Sequence, residues 1–274
     1  MMIYYIIIIF VIILVFILLK KVREKTREGF GQKICVIYNY YEKDEMYKEN
    51  LQYFLDHGIL DEVDYYFVIN GDYSTTFPNK PNIKIYNREN KGYDFGAYSY
   101  VIDKLKVYDY YFFMNTSVKG PYLKNNDKWY DKFLTLFNKN VHLVGTSINI
   151  CTSKIYCVDS DSKVNPHVQS MFFCLDQKYF NELKDENFFN ESEINNMTFN
   201  ELIRKKEVGL SEIAIKKGYN INCILSKYRD LDYLNIREDI NPTSINGDAY
   251  FKGKYFGGTI DPYEVVFFKT NRDN

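Results

Sequence analysis

Continuous apolar runs alternate with segments of helical spacing along the first half of the chain. The apolar runs predict four strands, at 33–40, 64–70, 82–87 and 109–115. Apolar positions three and four residues apart predict helices over 43–57 and 93–106. The run 109–115 is uniformly apolar between Asp109 and Asn115, as in a strand buried on both faces. This β-α-β-β-α-β order predicts an α/β fold, in which a mixed, mostly parallel sheet of Rossmann type is flanked by helices.

The second half of the chain is less regular but continues as a mixture of strands and helices. Its helical segments are predicted near 125–138, 177–184, 198–206 and 208–217. Its strands are predicted near 141–148, 169–175, 220–225 and 264–269. Neither an internal repeat nor a low-complexity linker follows residue 32, so we expect a single domain over residues 33–274.

The N-terminal segment is apolar enough to cross a membrane as a helix. Residues 1–19 contain neither a charge nor a helix-breaking residue, and a helix of this length spans roughly the hydrocarbon core of a bilayer. A cleavable signal peptide would need a basic segment before the apolar run and a small-residue cleavage site after it. The sequence has neither, so we expect a transmembrane anchor over residues 1–20 and a polar tether over residues 21–32.

Two features bear on the side of the membrane at which the domain lies. Lysines and arginines cluster directly after the apolar segment, and the positive-inside rule then favours a cytoplasmic domain. The five cysteines fit reduced thiols, because their number is odd and their spacing suggests neither disulfides nor a zinc site. In the alternative, a lumenal domain, the tripeptides that begin at Asn190 and Asn196 would be glycosylation sequons.

Composition narrows the class of function. An apolar content of 46% and an aromatic content of 18% allow a substantial core, and a net charge of −1 gives no footprint for nucleic acid. The chain has neither a GxGxxG nor a Walker motif. No Ser-His-Asp or Cys-His arrangement has supporting local sequence, which argues against hydrolysis through a covalent intermediate.

Polar residues that follow the predicted strands are the candidate binding residues, because open α/β sheets bind ligands at the carboxyl ends of their strands. Asn70 ends the second strand, and Asn115 and Ser117 end the fourth. Between the third strand and its helix, Asp94 either caps the helix or accepts a hydrogen bond from a sugar or ribose hydroxyl. Gly92 would leave room for that ligand.

Four motifs recur here in an order typical of one enzyme family. They are NKGYDFGA (90–97), NTSVKGP (115–121), HVQSMFF (167–173) and EVGLSEIAIKKGY (207–219). In these motifs, over about residues 33–272, the chain resembles glycosyltransferases of the GT-A fold, and in particular the rhamnan synthesis protein F family with its eukaryotic and viral relatives. The resemblance implies a GT-A-like enzyme of polysaccharide biosynthesis that transfers a sugar from a nucleotide-sugar donor to a glycan or other hydroxyl acceptor, with inversion expected.

The resemblance places Asn115 and Ser117 where many GT-A enzymes carry an Asp-x-Asp that binds a divalent metal. An amide and a hydroxyl are weaker ligands for Mn²⁺ or Mg²⁺ than two carboxylates are, so the metal requirement stays open. We expect cations to supply part of the charge that neutralises the donor diphosphate, and Lys119, Lys269 and Arg272 are the candidates.

A second candidate for a metal site is the literal Asp-x-Asp formed by Asp159 and Asp161. This segment lies later in the chain than the sheet order would place a donor site, and clusters of Asp and Ser are typical of loops. Both placements of a metal therefore remain open.

An inverting transfer needs a carboxylate that takes the proton of the acceptor hydroxyl. By the resemblance, Glu207 at the start of a predicted helix is the candidate base, and Glu212 is the reserve. His167 and Gln169, at the start of a predicted strand, are expected to contact the acceptor or the diphosphate. The alternatives are a carboxylate that only favours the helix dipole and a structural histidine.

Two functions of other classes fit the same residues. One is a non-catalytic nucleotide- or sugar-binding protein that has lost its metal carboxylates. The other is a membrane-tethered scaffold that uses the fold only to bind a partner. Turnover of a nucleotide-sugar distinguishes an enzyme from both.

Overall fold

The computed structural model describes residues 31–125, 127–152 and 164–272. In chain order its strands are β1 (Ile34–Tyr40), β2 (Val63–Asn70), β3 (Ile83–Arg88), β4 (Tyr110–Asn115), β5 (Val118–Lys119), β6 (Val141–Gly145), β7 (Ile148–Cys151), β8 (Asn165–Val168), β9 (Phe172–Asp176), β10 (Asn220–Cys223) and β11 (Phe268–Lys269). The helices are α1 (Glu45–His57), α2 (Tyr93–Val101), α3 (Asp131–Leu134), α4 (Gln177–Asp185), α5 (Glu191–Asn195), α6 (Phe199–Leu202), α7 (Gly209–Lys216) and α8 (Pro262–Val265).

The central sheet has seven strands in the order β10-β6-β9-β4-β1-β2-β3. Strand β1 is parallel to β2 and β4, β2 is parallel to β3, and β10 is parallel to β6. Only β9 runs against its neighbours β4 and β6. All seven residues of β1 are buried, as expected for a central strand covered on both faces. The predicted mixed, mostly parallel α/β sheet is therefore confirmed.

Most predicted strands and helices are found within two or three residues of their expected bounds. The prediction of a helix over 125–138 is wrong, because α3 is the only helix among the residues described in this range. Trp129 is buried and donates from its indole Nε1 to the carbonyl oxygen of Gly58 at 2.9 Å. This contact holds the residues around Trp129 in a non-helical conformation. The prediction of a strand over 264–269 is wrong at its start. Asp261 caps a short helix that begins at Pro262, and only Phe268–Lys269 is a strand.

One continuous helical segment replaces two predicted helices over 198–217. Helix α6 leads into a π-helical turn, Ile203–Val208, which continues into α7. Such wider turns are rare in proteins, and those that occur often lie at functional sites. Glu207 lies inside this turn, so the prediction that it opens a helix is wrong.

Several predictions fall outside the described residues. The anchor over 1–20, nearly all of the tether over 21–32 and the pair Asp159 and Asp161 are among them. Within the described ranges, no helix has the length and apolar character needed to cross a bilayer.

The cysteines differ from the expectation of reduced thiols. Cys35, Cys174 and Cys223 are free and buried, but Cys151 at the end of β7 is disulfide-bonded. The expectation is therefore wrong for Cys151, and the cysteines no longer favour a cytoplasmic domain.

Gly96 allows α2 to pack closely against the turn that follows β3. A Cβ at Gly96 would lie 2.0 Å from the carbonyl oxygen of Lys91, which accepts a hydrogen bond from Arg88 at 2.9 Å. This close approach fixes the start of α2, from which Asp94 projects. At Gly209, by contrast, a Cβ would meet only the carbonyl oxygen of Arg204 at 3.5 Å, an ordinary contact.

These two helical glycines give a matched test of the packing. Gly96→Ala should destabilise the protein by about 1–3 kcal/mol, because the backbone at Lys91 must move. Gly209→Ala should stabilise it by about 0.5–1 kcal/mol, because alanine loses less backbone entropy on folding. Urea denaturation measures both. Equal effects of the two substitutions would contradict the close packing at Gly96.

Candidate functional site

A cleft of about 830 Å³ lies at the carboxyl ends of β1, β2 and β4. Its other walls come from the segment between β8 and β9, from the π-helical turn and from the C-terminal residues. Most of the predicted site residues line it: Asn70, Asp94, Asn115, Ser117, His167, Gln169, Glu207, Lys269 and Arg272. Residues that the sequence places up to about 200 positions apart therefore share one cleft.

Asp94 lies at the centre of the cleft floor and joins the ends of two neighbouring strands. Its Oδ1 accepts a hydrogen bond from Nδ2 of Asn39 in β1, and its Oδ2 accepts one from Nδ2 of Asn115 in β4. Both distances are 2.6 Å. The N-cap of α2 is Gly92, which has no side chain to cap with, and the Asp94 carboxylate bonds across the sheet instead of capping the helix.

The hydrogen bonds extend from Asp94 in both directions and fix the orientation of three amides. Asn70 Nδ2 donates to Asn39 Oδ1 at 2.7 Å, and Arg88 donates to Asn70 Oδ1 at 3.0 Å. On the other side, the Ser117 hydroxyl donates to Asn115 Oδ1 at 2.6 Å. An ionised carboxylate only accepts, so the amide nitrogens of Asn39 and Asn115 must face Asp94.

Each of these amides keeps one N–H for a ligand. An amide nitrogen carries two hydrogens, and the Nδ2 atoms of Asn39, Asn70 and Asn115 each make one hydrogen bond to the described residues. All three residues are buried at the carboxyl edge of the sheet and line the cleft. The cleft floor is therefore a row of fixed hydrogen-bond donors beside a carboxylate.

Burial raises the pKa of Asp94 to about 6. The hydrogen bonds from Asn115 and Asn39 lower this pKa, as does the charge of Lys269, whereas the nearby carboxylate of Glu207 raises it further. The desolvation of the carboxylate is the largest of these effects. Asp94 is thus ionised at neutral pH at a cost to the folded state.

Glu207 lies on the wall formed by the π-helical turn. Its Oε1 accepts a hydrogen bond from the backbone N–H of Ser170 at 3.1 Å. This bond orients one carboxylate oxygen toward the segment before β9 and leaves the other oxygen for a ligand. Glu212, one turn further along, accepts a hydrogen bond from Asn165 and does not line the cleft.

His167 is neutral and has a defined tautomer. It is 4% exposed, and burial lowers its pKa despite the nearby charge of Glu207. Its Nδ1 lies 3.1 Å from the backbone carbonyl oxygen of Asn165, which can only accept, so Nδ1 carries the hydrogen. The Nε2 atom is therefore an acceptor. Gln169, two residues on, accepts from the Ser147 hydroxyl at 2.7 Å through its amide oxygen and keeps its amide nitrogen for the cleft.

The C-terminal segment brings cations to the end of β4. Strand β11 pairs with β5, and the backbone N–H of Thr270 donates to the carbonyl oxygen of Ser117 at 2.8 Å. Arg272 donates from Nε to Asp248 at 2.9 Å, whereas the side-chain ammonium group of Lys269 makes neither a hydrogen bond nor an ion pair with any described residue. Burial lowers the pKa of Lys269, and the charge of Asp248 opposes this effect.

Two predicted site residues do not line the cleft. Lys119 lies with its Nζ 3.9 Å from Glu49 and 5.5 Å from the ring centre of Tyr53. Gly92 adopts a left-handed conformation with φ 68°, and a Cβ there would lie 2.8 Å from Asn195 Oδ1. Gly92 therefore serves the turn and its packing on α5, and the expectation that it makes room for a ligand is wrong.

Asn115 and Ser117, where the resemblance places the Asp-x-Asp of many GT-A enzymes, do not fit a divalent metal. Asn115 Oδ1 already accepts hydrogen bonds from the backbone N–H and the hydroxyl of Ser117, and neither residue offers a carboxylate. Among the described residues, no group of three or more His, Cys, Asp and Glu side chains is placed to hold a metal ion.

Two residues of the site, Arg88 and Asp248, were not expected from the sequence, whereas Asn39 lies within residues 38–41, a strand end at which donor contacts are predicted. Asn39, Arg88 and Asp248 complete the hydrogen bonds and ion pairs described above. The signal for Asn39 is a polar residue near the carboxyl end of an otherwise apolar strand. Asp248 lies in an irregular segment, where the sequence gives no comparable signal.

Comparisons with known proteins place the chain in a family. A family model described as rhamnan synthesis protein F matches residues 82–247, which contain all four motifs singled out above. The resemblance inferred from those motifs is therefore confirmed. No curated protein sequence matches the chain.

Solved glycosyltransferase structures align with part of the chain. S. aureus TarS 1-349 aligns at 13% identity and a TM-score of 0.42, over 72% of this chain and 59% of that one. GlyE from Streptococcus pneumoniae TIGR4 aligns at 10% identity and a TM-score of 0.39, over 70% of this chain and 45% of that one. A glycosyltransferase involved in the glycosylation of the major capsid of PBCV-1 aligns at 10% identity and a TM-score of 0.37, over 69% and 82%. The alignment spans less than half the length of GlyE.

The raised pKa of Asp94 predicts a specific pH dependence of stability. Between the ordinary pKa of an aspartate, about 3.9, and its folded value of about 6, the folded state binds more protons at this site than the unfolded state. The free energy of unfolding of the wild type should therefore fall, relative to that of Asp94→Asn, as the pH rises through this window. Urea denaturation of both proteins from about pH 4 to about pH 7 measures the difference. A wild-type free energy of unfolding that rises with pH relative to that of Asp94→Asn would contradict the raised pKa.

Proposed function

This chain belongs to the rhamnan synthesis protein F family, and we propose that it transfers a sugar from a nucleotide-sugar donor to a hydroxyl group of a glycan. We expect the transfer to invert the anomeric centre and to serve polysaccharide biosynthesis. The observation that carries this proposal is the cleft itself. It combines fixed amide donors, a lysine without an ion-pair partner among the described residues and an oriented carboxylate at the carboxyl edge of the sheet.

The donor would bind over the cleft floor. Ribose and sugar hydroxyls can donate to Asp94, and the free amide N–H groups of Asn39, Asn70 and Asn115 can donate to oxygens of the nucleotide. The diphosphate would lie against Lys269, whose ammonium group makes no ion pair with the residues that the structure describes. Arg272 would add charge from the same side while Asp248 holds it in place.

This arrangement supports donor binding without a divalent metal. The ammonium group of Lys269, in a half-buried residue, has no ion-pair partner among the described residues, so its desolvation is not compensated by them and an anionic ligand would compensate for it. Because the residues at the Asp-x-Asp position do not fit a metal, Lys269 is the described group best placed to take over charge neutralisation.

Glu207 would act as the general base. Its free carboxylate oxygen takes the proton of the acceptor hydroxyl while the hydroxyl oxygen attacks the anomeric carbon. The bond between this carbon and the diphosphate oxygen breaks, and the nucleoside diphosphate leaves with the bonding electrons. Lys269 stabilises the charge that develops on the leaving group. The Ser170 N–H keeps the carboxylate in orientation.

His167 and Gln169 would contact the acceptor or the diphosphate on the same wall. The Nε2 of His167 accepts a hydrogen bond, and the amide nitrogen of Gln169 donates one. The anchor expected over residues 1–20 would hold the domain at a membrane, and the cations that follow it favour the cytoplasmic side.

The role of Lys269 is testable by binding of UDP, GDP and dTDP to the full chain. For the nucleoside diphosphate that binds best, Lys269→Met should weaken the affinity roughly tenfold or more, because a charge-assisted contact is lost. The matched control is Lys119→Met, since Lys119 lies outside the cleft, and it should bind as the wild type does. Isothermal titration calorimetry with and without Mn²⁺ measures both. Nucleoside diphosphate binding that requires Mn²⁺ and is unchanged by Lys269→Met would contradict the role of Lys269.

The role of Glu207 is testable by transfer from UDP-, GDP-, dTDP- and CMP-sugars. Glu207→Gln should lower the rate by about 10²–10⁴-fold and leave nucleoside diphosphate affinity nearly unchanged, because the amide cannot take a proton. Glu212→Gln, one helical turn away and outside the cleft, is the control and should retain activity. Nucleotide binding by the wild type with neither transfer nor donor hydrolysis would favour the non-catalytic binding protein.

A further inference from the structure

Two exposed aromatic side chains stand together at the mouth of the cleft. Tyr93 is 53% exposed and Phe199 is 54% exposed, and their ring centres lie 5.2 Å apart. Both line the cleft, although they come from different helices. We call this pair the rim platform. Large aromatic surfaces exposed beside a polar cleft are typical of binding surfaces.

The backbone at Tyr93 is held in an unfavourable conformation that presents this ring. Tyr93 has φ 49°, in the left-handed region that residues with a Cβ rarely adopt, and it follows the left-handed Gly92. Such conformations cluster at functional sites. The ring gains little burial in return, so packing of the core does not account for its position.

The rim platform is continuous with the wall that carries the proposed base. Phe199, Ile203 and Glu207 follow one another at intervals of four residues along α6 and the π-helical turn, and all three line the cleft. On the other side, Tyr93 precedes Asp94 directly in α2. A ligand that lies on the platform therefore adjoins the wall of Glu207.

We propose that the rim platform binds a pyranose ring of the acceptor glycan and so presents its hydroxyl to Glu207. This proposal rests on the proposed glycosyl transfer. One face of a pyranose ring is a surface of C–H groups that packs on the negative face of an aromatic ring, while its hydroxyls point outward to polar partners. An aromatic platform beside a carboxylate and amides matches both parts of such a ligand.

The acceptor fits this platform better than the donor does. The proposed donor contacts, Asn39, Asn70 and Asn115, are buried at the floor of the cleft, whereas the platform is half exposed at its mouth. In an inverting transfer the acceptor attacks from the side opposite the leaving group, so it must approach over the bound donor. The mouth beside Glu207 is open to that approach.

The test measures binding of methyl glycosides of common hexoses to the full chain saturated with the nucleoside diphosphate that binds best, by saturation-transfer NMR. Phe199→Ala and Tyr93→Ala should each weaken glycoside binding roughly tenfold, because a face of the sugar ring loses its apolar contact. Phe199→Trp should retain it, since a ring remains. The control is Tyr263→Ala, which removes another exposed aromatic ring, one that packs on half-buried Tyr122 away from the cleft, and it should change nothing.

Each outcome decides the matter. Weaker glycoside binding in both alanine variants, with nucleotide affinity kept and Phe199→Trp unaffected, supports the platform as an acceptor subsite. Unchanged glycoside binding in these variants, or no glycoside binding to the wild type, overturns it. Loss of nucleotide affinity in Phe199→Ala instead assigns the platform to the donor base and also overturns the proposal. If the wild type binds no nucleoside diphosphate at all, the proposed function itself fails.

Discussion

The Asp94 carboxylate, held between two amide nitrogens, is the interaction on which the rest of the site depends. Its two oxygens accept from Asn39 and Asn115, at the ends of the neighbouring strands β1 and β4. Because the carboxylate only accepts, it sets which way both amides face, and these in turn orient Asn70 and Ser117. A single carboxylate thus sets the direction of the hydrogen bonds that link Asn39, Asn115 and Ser117 across the cleft floor. Burial raises the pKa of Asp94, because desolvation disfavours the ionised carboxylate that accepts these hydrogen bonds.

Sequence reasoning recovers the parts of the structure that local patterns encode. The strands of the sheet follow from apolar runs, and the placement of Asp94, Asn115 and Ser117 at the cleft follows from the rule that parallel strands present their carboxyl ends at one edge. The positions of His167 and Glu207 came from family motifs. Their orientation did not, because it depends on contacts such as that between Glu207 and the Ser170 N–H, 37 positions away.

The wrong predictions for Lys119 and Gly92 also arise from contacts between residues that are distant in the sequence. Strand β5 has two residues, and alternation over so short a strand cannot indicate which side chain faces the cleft. Lys119 was expected there and instead lies beside Glu49, while Lys269, from the paired strand β11, faces the cleft. That pairing joins residues about 150 positions apart, and no local pattern encodes it. At Gly92 the sequence indicated a position that requires glycine, but the reason is a left-handed turn packed on α5.

The cleft is assembled from both ends of the described chain, from Asn39 in the first strand to Lys269 in the last. A ligand that contacts both residues links two parts of the chain that are more than 200 residues apart. These residues lie close together only while the whole sheet is folded, so the free energy of ligand binding adds to the cooperative stability of the entire domain. Occupancy of the cleft would accordingly appear as a higher melting temperature of the complete fold, and not as the ordering of one loop.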